Sequence, residues 1–190
     1  MRPRDKKKEQ AVEAAAIQLI NQHGIEGLSM SKLAKLAGVS PATLYIYYTN
    51  KDDLLNQLFL KLRKQFATAV FDGFDPQMDF KQGFQLLWEN HYRFAQEQSD
   101  AFWFLEQSAN SVAVREMDSK LEVRWLAPMN MFLHFGHEAG VFKNLNLMMF
   151  RAFAFAPILQ LVKSELRTGS ILTDEDLAVA RQLSWGVIAA

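Results

Sequence analysis

Between Ser29 and Asn50 the chain signals the start of a helix three times, and this crowding limits the possible folds more than any other feature. A serine or asparagine side chain accepts hydrogen bonds from the free N–H groups of a first helical turn. Ser29 is placed to do so ahead of "MSKLAKLAG", Ser40 ahead of "PATLYIYY" and Asn50 ahead of "KDDLLNQLFLKL". Pro41 strengthens the second signal, because proline at the first helical position gives up no bond. Asp52 and Asp53 strengthen the third by complementing the positive end of the helix dipole. The first two helices therefore have room for only about two turns each, too short to persist without packing. Gly38 is positioned to end the first of them. A short helix, a tight turn with glycine and a second short helix make a helix-turn-helix.

The remainder also reads as helix. Val12, Ala15, Ala16, Leu19 and Ile20 fall at i, i+3, i+4, i+7 and i+8 on one face, with Gly24 suited to the C-terminal cap. Leu33, Ala34 and Ala37 form the buried side of the next helix, and the helix after Asn50 is expected to run to about Phe71. A further helix from about Asp79 to Gln98 carries Phe84, Leu87, Trp88, His91, Tyr92 and Phe94, with more aromatics in "AFWFLEQSANS". Breaks are expected around "DGFDPQMD", "EQSD", "HEAGVFKN" and "RTGSILTDED". Thr173 with Asp176 makes a capping box for the last helix, and Pro157 is expected to kink its own. The fold class is all-α.

A zero net charge over 190 residues hides an asymmetry. Residues 1–51 hold eight Lys and Arg against four Asp and Glu, leaving 13 against 17 for the rest. Of all the Phe, Trp and Tyr residues, only Tyr45, Tyr47 and Tyr48 precede residue 52. A basic, aromatic-poor beginning on an acidic, aromatic-rich body suggests two domains with different partners, 1–51 and 52–190. Cysteine is absent, which excludes disulfides and thiolate chemistry. No uncharged apolar run approaches the ~18 to 20 residues of a membrane-spanning helix, and the basic "MRPRDKKKEQ" leads into an amphipathic pattern rather than a secretory h-region. A cytoplasmic protein with no membrane association is the expectation.

The segment "AAAIQLINQHGIEGLSMSKLAKLAGVSPATLYIYYTNKDDLL" resembles the TetR family of bacterial transcriptional regulators. The resemblance implies an N-terminal three-helix DNA-binding head, and a C-terminal helical domain for ligand binding and dimerisation. The second helix of such a unit enters the major groove of double-stranded DNA, where base edges present a readable code. Thr43 offers a hydroxyl, Tyr47 a phenol and Lys51 a charge at a helix N-terminus, and the resemblance implies phosphate contacts at these three positions. Pro41, Ala42 and Tyr45 on the short helix, with Ser31 on the helix before it, are the candidates for reading bases, and Ser40 lies at the edge of the same surface. Ile46 departs from the polar or aromatic residue common there, so its contact would be apolar. Tyr48 stands where the family usually has phenylalanine, as core. The alternative is that all three tyrosines simply pack a small domain. Arg2, Arg4, Lys6, Lys7 and Lys8 are either an arm onto phosphates or the minor groove, or a solvated run.

In the aromatic body the resemblance implies an effector pocket, with Trp88, His91, Tyr92, Phe102, Trp103, Trp125, Phe132 and Phe135 as candidate lining. For any one of them the alternative is ordinary core. His134 and His137 stand at i and i+3, but two histidines without a further ligand pair do not make a metal site. No cofactor is expected. With no G-x-S-x-G, phosphate loop or dinucleotide fingerprint, neither is an enzyme. "NLNLMMFRAFAFAPILQLVKSELRTG" and "TDEDLAVARQLSWGVIAA" are too apolar to face solvent on both sides, so a homodimer with a four-helix interface, and with it a palindromic operator, is expected. The function expected is a repressor released by a small apolar or amphipathic effector. Two rivals stand beside it: a similar DNA-binding protein with no inducer, and a helical lipid-binding or scaffolding protein that binds no DNA.

Overall fold

The structure is a computed structural model that describes residues 5–109, 111, 114 and 124–190. Arg2 and Arg4 of the basic run lie outside the described residues. The helices are α1 (Lys6–His23), α2 (Met30–Leu36), α3 (Pro41–Tyr47), α4 (Lys51–Val70), α5 (Phe80–Glu97), α6 (Ser99–Ser108), α7 (Ala127–Glu138), α8 (Leu147–Ala154), α9 (Ala156–Thr168) and α10 (Asp174–Ile188), with a short 3-10 turn at Ile25–Gly27. The one strand-like pairing among the described residues is an isolated antiparallel bridge between Phe142 and Ala189. The chain is all-α.

The cap chemistry starts these helices as expected. Ser29 Oγ accepts from Lys32 N–H at 3.3 Å, Ser40 Oγ from Thr43 N–H at 3.1 Å, and Asn50 Oδ1 from Asp53 N–H at 2.8 Å. Thr173 and Asp176 form the reciprocal capping box at α10. Gly24 and Gly38 take φ of 69° and 66°, the left-handed region in which only glycine is at ease, and so turn the chain out of α1 and α2. Pro157 does more than kink its helix. It sits in the first turn of α9, and Phe155, at φ −122° and ψ −26°, separates α8 from α9. The segment Leu147–Thr168 has the length and composition of a membrane-crossing helix, with mean hydropathy 1.3, but it is broken at Phe155 and carries Arg151, Lys163, Glu165 and Arg167.

Two compact units result. The first comprises Met1–Gln65 and Ser99–Glu122; the second comprises Phe66–Gln98 and Val123–Ala190. They do not coincide with the division at residue 51 expected from charge, because α1 packs against α6 as well as α2, which draws α6 into the same unit as the head. Val12, Ala15, Ala16, Leu19 and Ile20 of α1 are buried, and so are Leu33, Ala34, Leu44, Tyr48, Leu54, Leu55 and Leu58. On α6 the buried residues are Ala101, Phe102, Phe104, Leu105 and Ser108. Asn21 Nδ2 donates to the Asp100 carbonyl at 3.0 Å across the α1–α6 pair.

The second unit is held by aromatic rings. Phe142 lies 5.3 Å from Phe132, 5.6 Å from Phe80, 5.3 Å from Phe150 and 5.9 Å from Trp185, centroid to centroid. Such edge and tilted contacts add to what burial alone supplies. Gly136 on α7 admits this ring, since a Cβ there would stand 2.1 Å from Phe142 Cδ2. Beside it the chain clasps the end of α10. Lys143 N–H donates to Ile188 O and Ala190 N–H to Val141 O, both at 2.9 Å, while Lys143 Nζ reaches the carbonyls of Gly186 and Val187.

Candidate nucleic-acid interface

α3 buries Leu44 and Tyr47 and leaves Pro41, Ala42, Tyr45 and Ile46 exposed, Tyr45 by 55% and Ile46 by 54%. Apolar and aromatic surface of that kind on a two-turn helix contributes nothing to the unit's own core. Ser31 is exposed on α2, as are Lys32 and Lys35, which the sequence reading passed over. Ser40 is exposed, with its hydroxyl bound to Thr43 N–H and 2.9 Å from Thr43 Oγ1, so Ser40 and Thr43 form one local pair at the start of α3.

Lys51 opens α4, half-buried, behind a loop fixed by one carboxylate. Asp53 Oδ2 accepts from the Thr49 N–H at 2.7 Å and the Thr49 hydroxyl at 3.1 Å, and Oδ1 accepts from Gln57 Nε2 at 2.8 Å. Asn50 thus caps α4 while Asp53 ties Thr49 to its first turn, and Lys51 lies at a helix N-terminus where free N–H groups favour an anion. The signal for Asp53 was present in the sequence: a carboxylate three residues after an asparagine cap.

The tyrosines divide differently from expectation. Tyr45 is exposed, whereas both Tyr47 and Tyr48 are buried, by all but 5% and 2% of their surface. Tyr47 Oη donates to the Asp5 carbonyl at 3.1 Å and accepts from the Asp5 N–H at 3.0 Å. The outward-reaching phenol expected at Tyr47 is therefore corrected to a buried ring whose hydroxyl meets the beginning of α1. Spacing carried the signal, because Leu44, Tyr47 and Tyr48 stand at i, i+3 and i+4, one face of a helix.

The eight candidate effector residues are divided between the two units. Phe102 and Trp103, their rings 5.6 Å apart, belong to the first unit, while Trp88, His91, Tyr92, Trp125, Phe132 and Phe135 belong to the second. Phe132 is fully buried in the ring cluster around Phe142, and Phe135 and Trp125 are half-buried. Trp88 stacks on Tyr92 at 5.9 Å and 15°, and His91 stacks on Phe155 at 5.0 Å and 10°. The Trp88 indole is 1% exposed and its N–H has no hydrogen-bond partner among the described residues. Tyr92 Oη donates to Glu165 Oε1 at 2.7 Å, Gln96 donates to both, and Glu165 Oε1 also accepts from the Leu172 N–H at 2.8 Å. Burial, and then the neighbouring Glu165 carboxylate, push the Tyr92 phenol from 10.0 up to about 12. His137 Nε2 faces the Leu145 N–H at 3.4 Å and His134 pairs with Glu138 at 3.5 Å, so the two histidines do not converge on one point.

Comparison with known proteins places both parts of this architecture. Residues 14–58 match the model of bacterial regulatory proteins of the tetR family, and residues 79–189 match that of the tetracyclin repressor-like C-terminal domain. The chain is 29% identical over 134 residues to an uncharacterized HTH-type transcriptional regulator of Haemophilus influenzae, covering 70% of each chain. To the fatty acid metabolism regulator protein of Bacillus subtilis it is 32% identical over 78 residues, 41% of this chain and 40% of that one. A crystal structure of a TetR family transcription regulator from Marinobacter aquaeolei superposes with a TM-score of 0.84 at 31% identity, over 100% of this chain and 99% of that chain. With the helix-turn-helix and the C-terminal helical domain both matched, the chain belongs to the TetR family and is a helix-turn-helix transcriptional regulator.

Proposed function

We propose that this regulator is a cytoplasmic repressor, bound as a homodimer to a palindromic operator and released by a small apolar or amphipathic effector. The observation that carries the DNA half is the outward face of α3: Pro41, Ala42, Tyr45 and Ile46 are exposed on the helix that such units insert into the major groove. Tyr45 and Ile46 suit thymine methyls and sugar carbons, and Ser31 and Ser40 offer hydroxyls beside them. Thr43 and Lys51 supply phosphate contacts on either side.

Each phosphate neutralised releases counterions, so affinity falls steeply as salt rises. Lys51→Ala should weaken binding to all sequences alike by about 1 to 2 kcal/mol per subunit, the worth of one charge-assisted bond. Tyr45→Ala should also change which sequence is preferred. Gel-shift titration on DNA upstream of the protein's own gene, at several salt concentrations, is the test; no binding by the unmodified protein, or an unchanged salt slope for Lys51→Ala, would overturn the docking.

The effector half rests on Trp88. A buried N–H without a partner costs roughly 1 to 3 kcal/mol, a cost that a ligand acceptor reaching it among the rings of the second unit would remove. The relative named as a fatty acid metabolism regulator supports an amphipathic ligand class. Such a ligand lowers DNA affinity only by the difference in its affinity for the two conformations, typically ~1 to 3 kcal/mol. α4 carries the chain from Lys51 into the second unit, and the Gln98–Ser99 junction returns it, so both are routes for the displacement. Reciprocity decides: a ligand found by thermal shift must bind the operator-bound protein less tightly than the free protein. Equal calorimetric affinities would remove the mechanism.

A further inference from the structure

α1 begins where α3 ends. Asp5 caps α1, its carboxylate accepting from the Lys7 N–H at 3.0 Å, and its own N–H and C=O are both bound to the hydroxyl of Tyr47, the last residue of α3. A phenol has a single proton to give, and here it goes to the Asp5 carbonyl. A phosphate oxygen only accepts, so Tyr47 could bind one only by abandoning Asp5. Lys6, Lys7 and Lys8 follow at once and are all exposed. Three consecutive helical residues point about 100° apart, so their ammonium groups sweep more than half the circumference of the first turn.

We propose that Lys6, Lys7 and Lys8 form a second contact with the DNA phosphate backbone, and that Tyr47 is a positioning residue that holds this cationic turn beside the reading helix through Asp5. The inference rests on the DNA-binding reading above and extends it to a part of the chain outside the helix-turn-helix. The partner is duplex DNA because the feature is a cluster of like charge with donors only, presented next to the helix whose exposed face reads bases. Sequence plays no part in the contact, so it acts equally on operator and non-operator duplex.

The test is a double-mutant cycle, read by fluorescence anisotropy on a mixed-sequence duplex of about three helical turns across a series of salt concentrations. The unmodified protein, Tyr47→Phe, the triple variant Lys6→Ala, Lys7→Ala, Lys8→Ala, and the combination of all four changes are compared. The triple variant should reduce the slope of log affinity against log salt by about two or more per dimer, one phosphate contact in each subunit. Tyr47→Phe should lower affinity about fivefold and flatten the slope, yet change affinity less than twofold once the lysines are gone. A phosphate ligand at Tyr47 would instead cost the same in both backgrounds, and a purely structural tyrosine would leave the salt slope intact. Either result, or an unchanged slope in the triple variant, overturns the proposal while leaving the regulator's DNA binding in place. If the unmodified protein bound neither this duplex nor its own upstream DNA, the functional reading would fall and this inference with it.

Discussion

Gly136→Ala should destabilise the protein, and the effect should change sign when one neighbour is removed. The new Cβ would stand 2.1 Å from Phe142 Cδ2 and 2.3 Å from Cε2, so the ring must retreat by about 1.3 Å to reach the 3.4 Å of ordinary contact. Phe142 has little room to move, being 4% exposed and ringed by Phe80, Phe132, Phe150 and Trp185. Overpacking of a core by one methyl costs roughly 1 to 3 kcal/mol. Against that, Gly136 lies within α7, where alanine is the better helix former by about 1 kcal/mol. A steric excess this large puts the sum near 1 to 2 kcal/mol of net loss, or a fall in melting temperature of about 2 to 8 °C for a chain of this size. In a Phe142→Ala background, itself costing about 3 to 5 kcal/mol, the clash is absent and only the helix term remains. There Gly136→Ala should stabilise, by up to about 1 kcal/mol. Urea midpoints followed by circular dichroism for the four members of the cycle measure all of this. A variant as stable as the parent, or an equal cost in both backgrounds, would refute the idea that the glycine exists to admit the ring.

Three further outcomes follow from other parts of the molecule. The Tyr92 phenol is pushed up from 10.0 to about 12, so its protonated form favours the folded state; that contribution is intact below pH 10 and is lost as pH rises through about 12. The difference in urea midpoint between the parent and Tyr92→Phe should therefore narrow between pH 10 and 12, and a constant difference would contradict it. Asp53→Ala strips the loop before α4 of its acceptor for Thr49 and Gln57; a loss of about 1 kcal/mol in stability, together with weaker DNA binding, is expected by thermal melt and gel shift. Val179, Leu183 and Val187 stand at i, i+4 and i+8 on α10, exposed by 52%, 67% and 46%, so Leu183→Glu should convert a dimer to a monomer in sedimentation; dimers surviving the charge would place the interface elsewhere.

What the sequence disclosed and what it withheld separate along a physical line. Helix starts depend on bonds between residues three apart, and Ser29, Ser40, Asn50 and Thr173 could each be recognised from that short range. Facing can also be read locally, since Leu44 three residues before Tyr47 marks the buried side on which that ring lies. The pairing of distant elements leaves no such trace. Phe102 and Trp103 look like members of the aromatic body in composition, yet α6 packs on α1, and nothing within either helix encodes which of several apolar faces it will meet. The bond between Tyr47 and Asp5, 42 positions apart, belongs to the same class.

The split composition of the first unit sets a schedule for its making. Its two stretches end and resume at Gln65 and Ser99, and α6 is complete only at Ser108. At a synthesis rate of about 5 to 20 residues per second, the ribosome needs roughly 2 to 9 s after finishing the first stretch before α6 exists at all. Through that interval α1 has emerged without its α6 partner, and the packing of the first unit is incomplete. The first unit is thus completed only after α5, which belongs to the second unit, has also been translated.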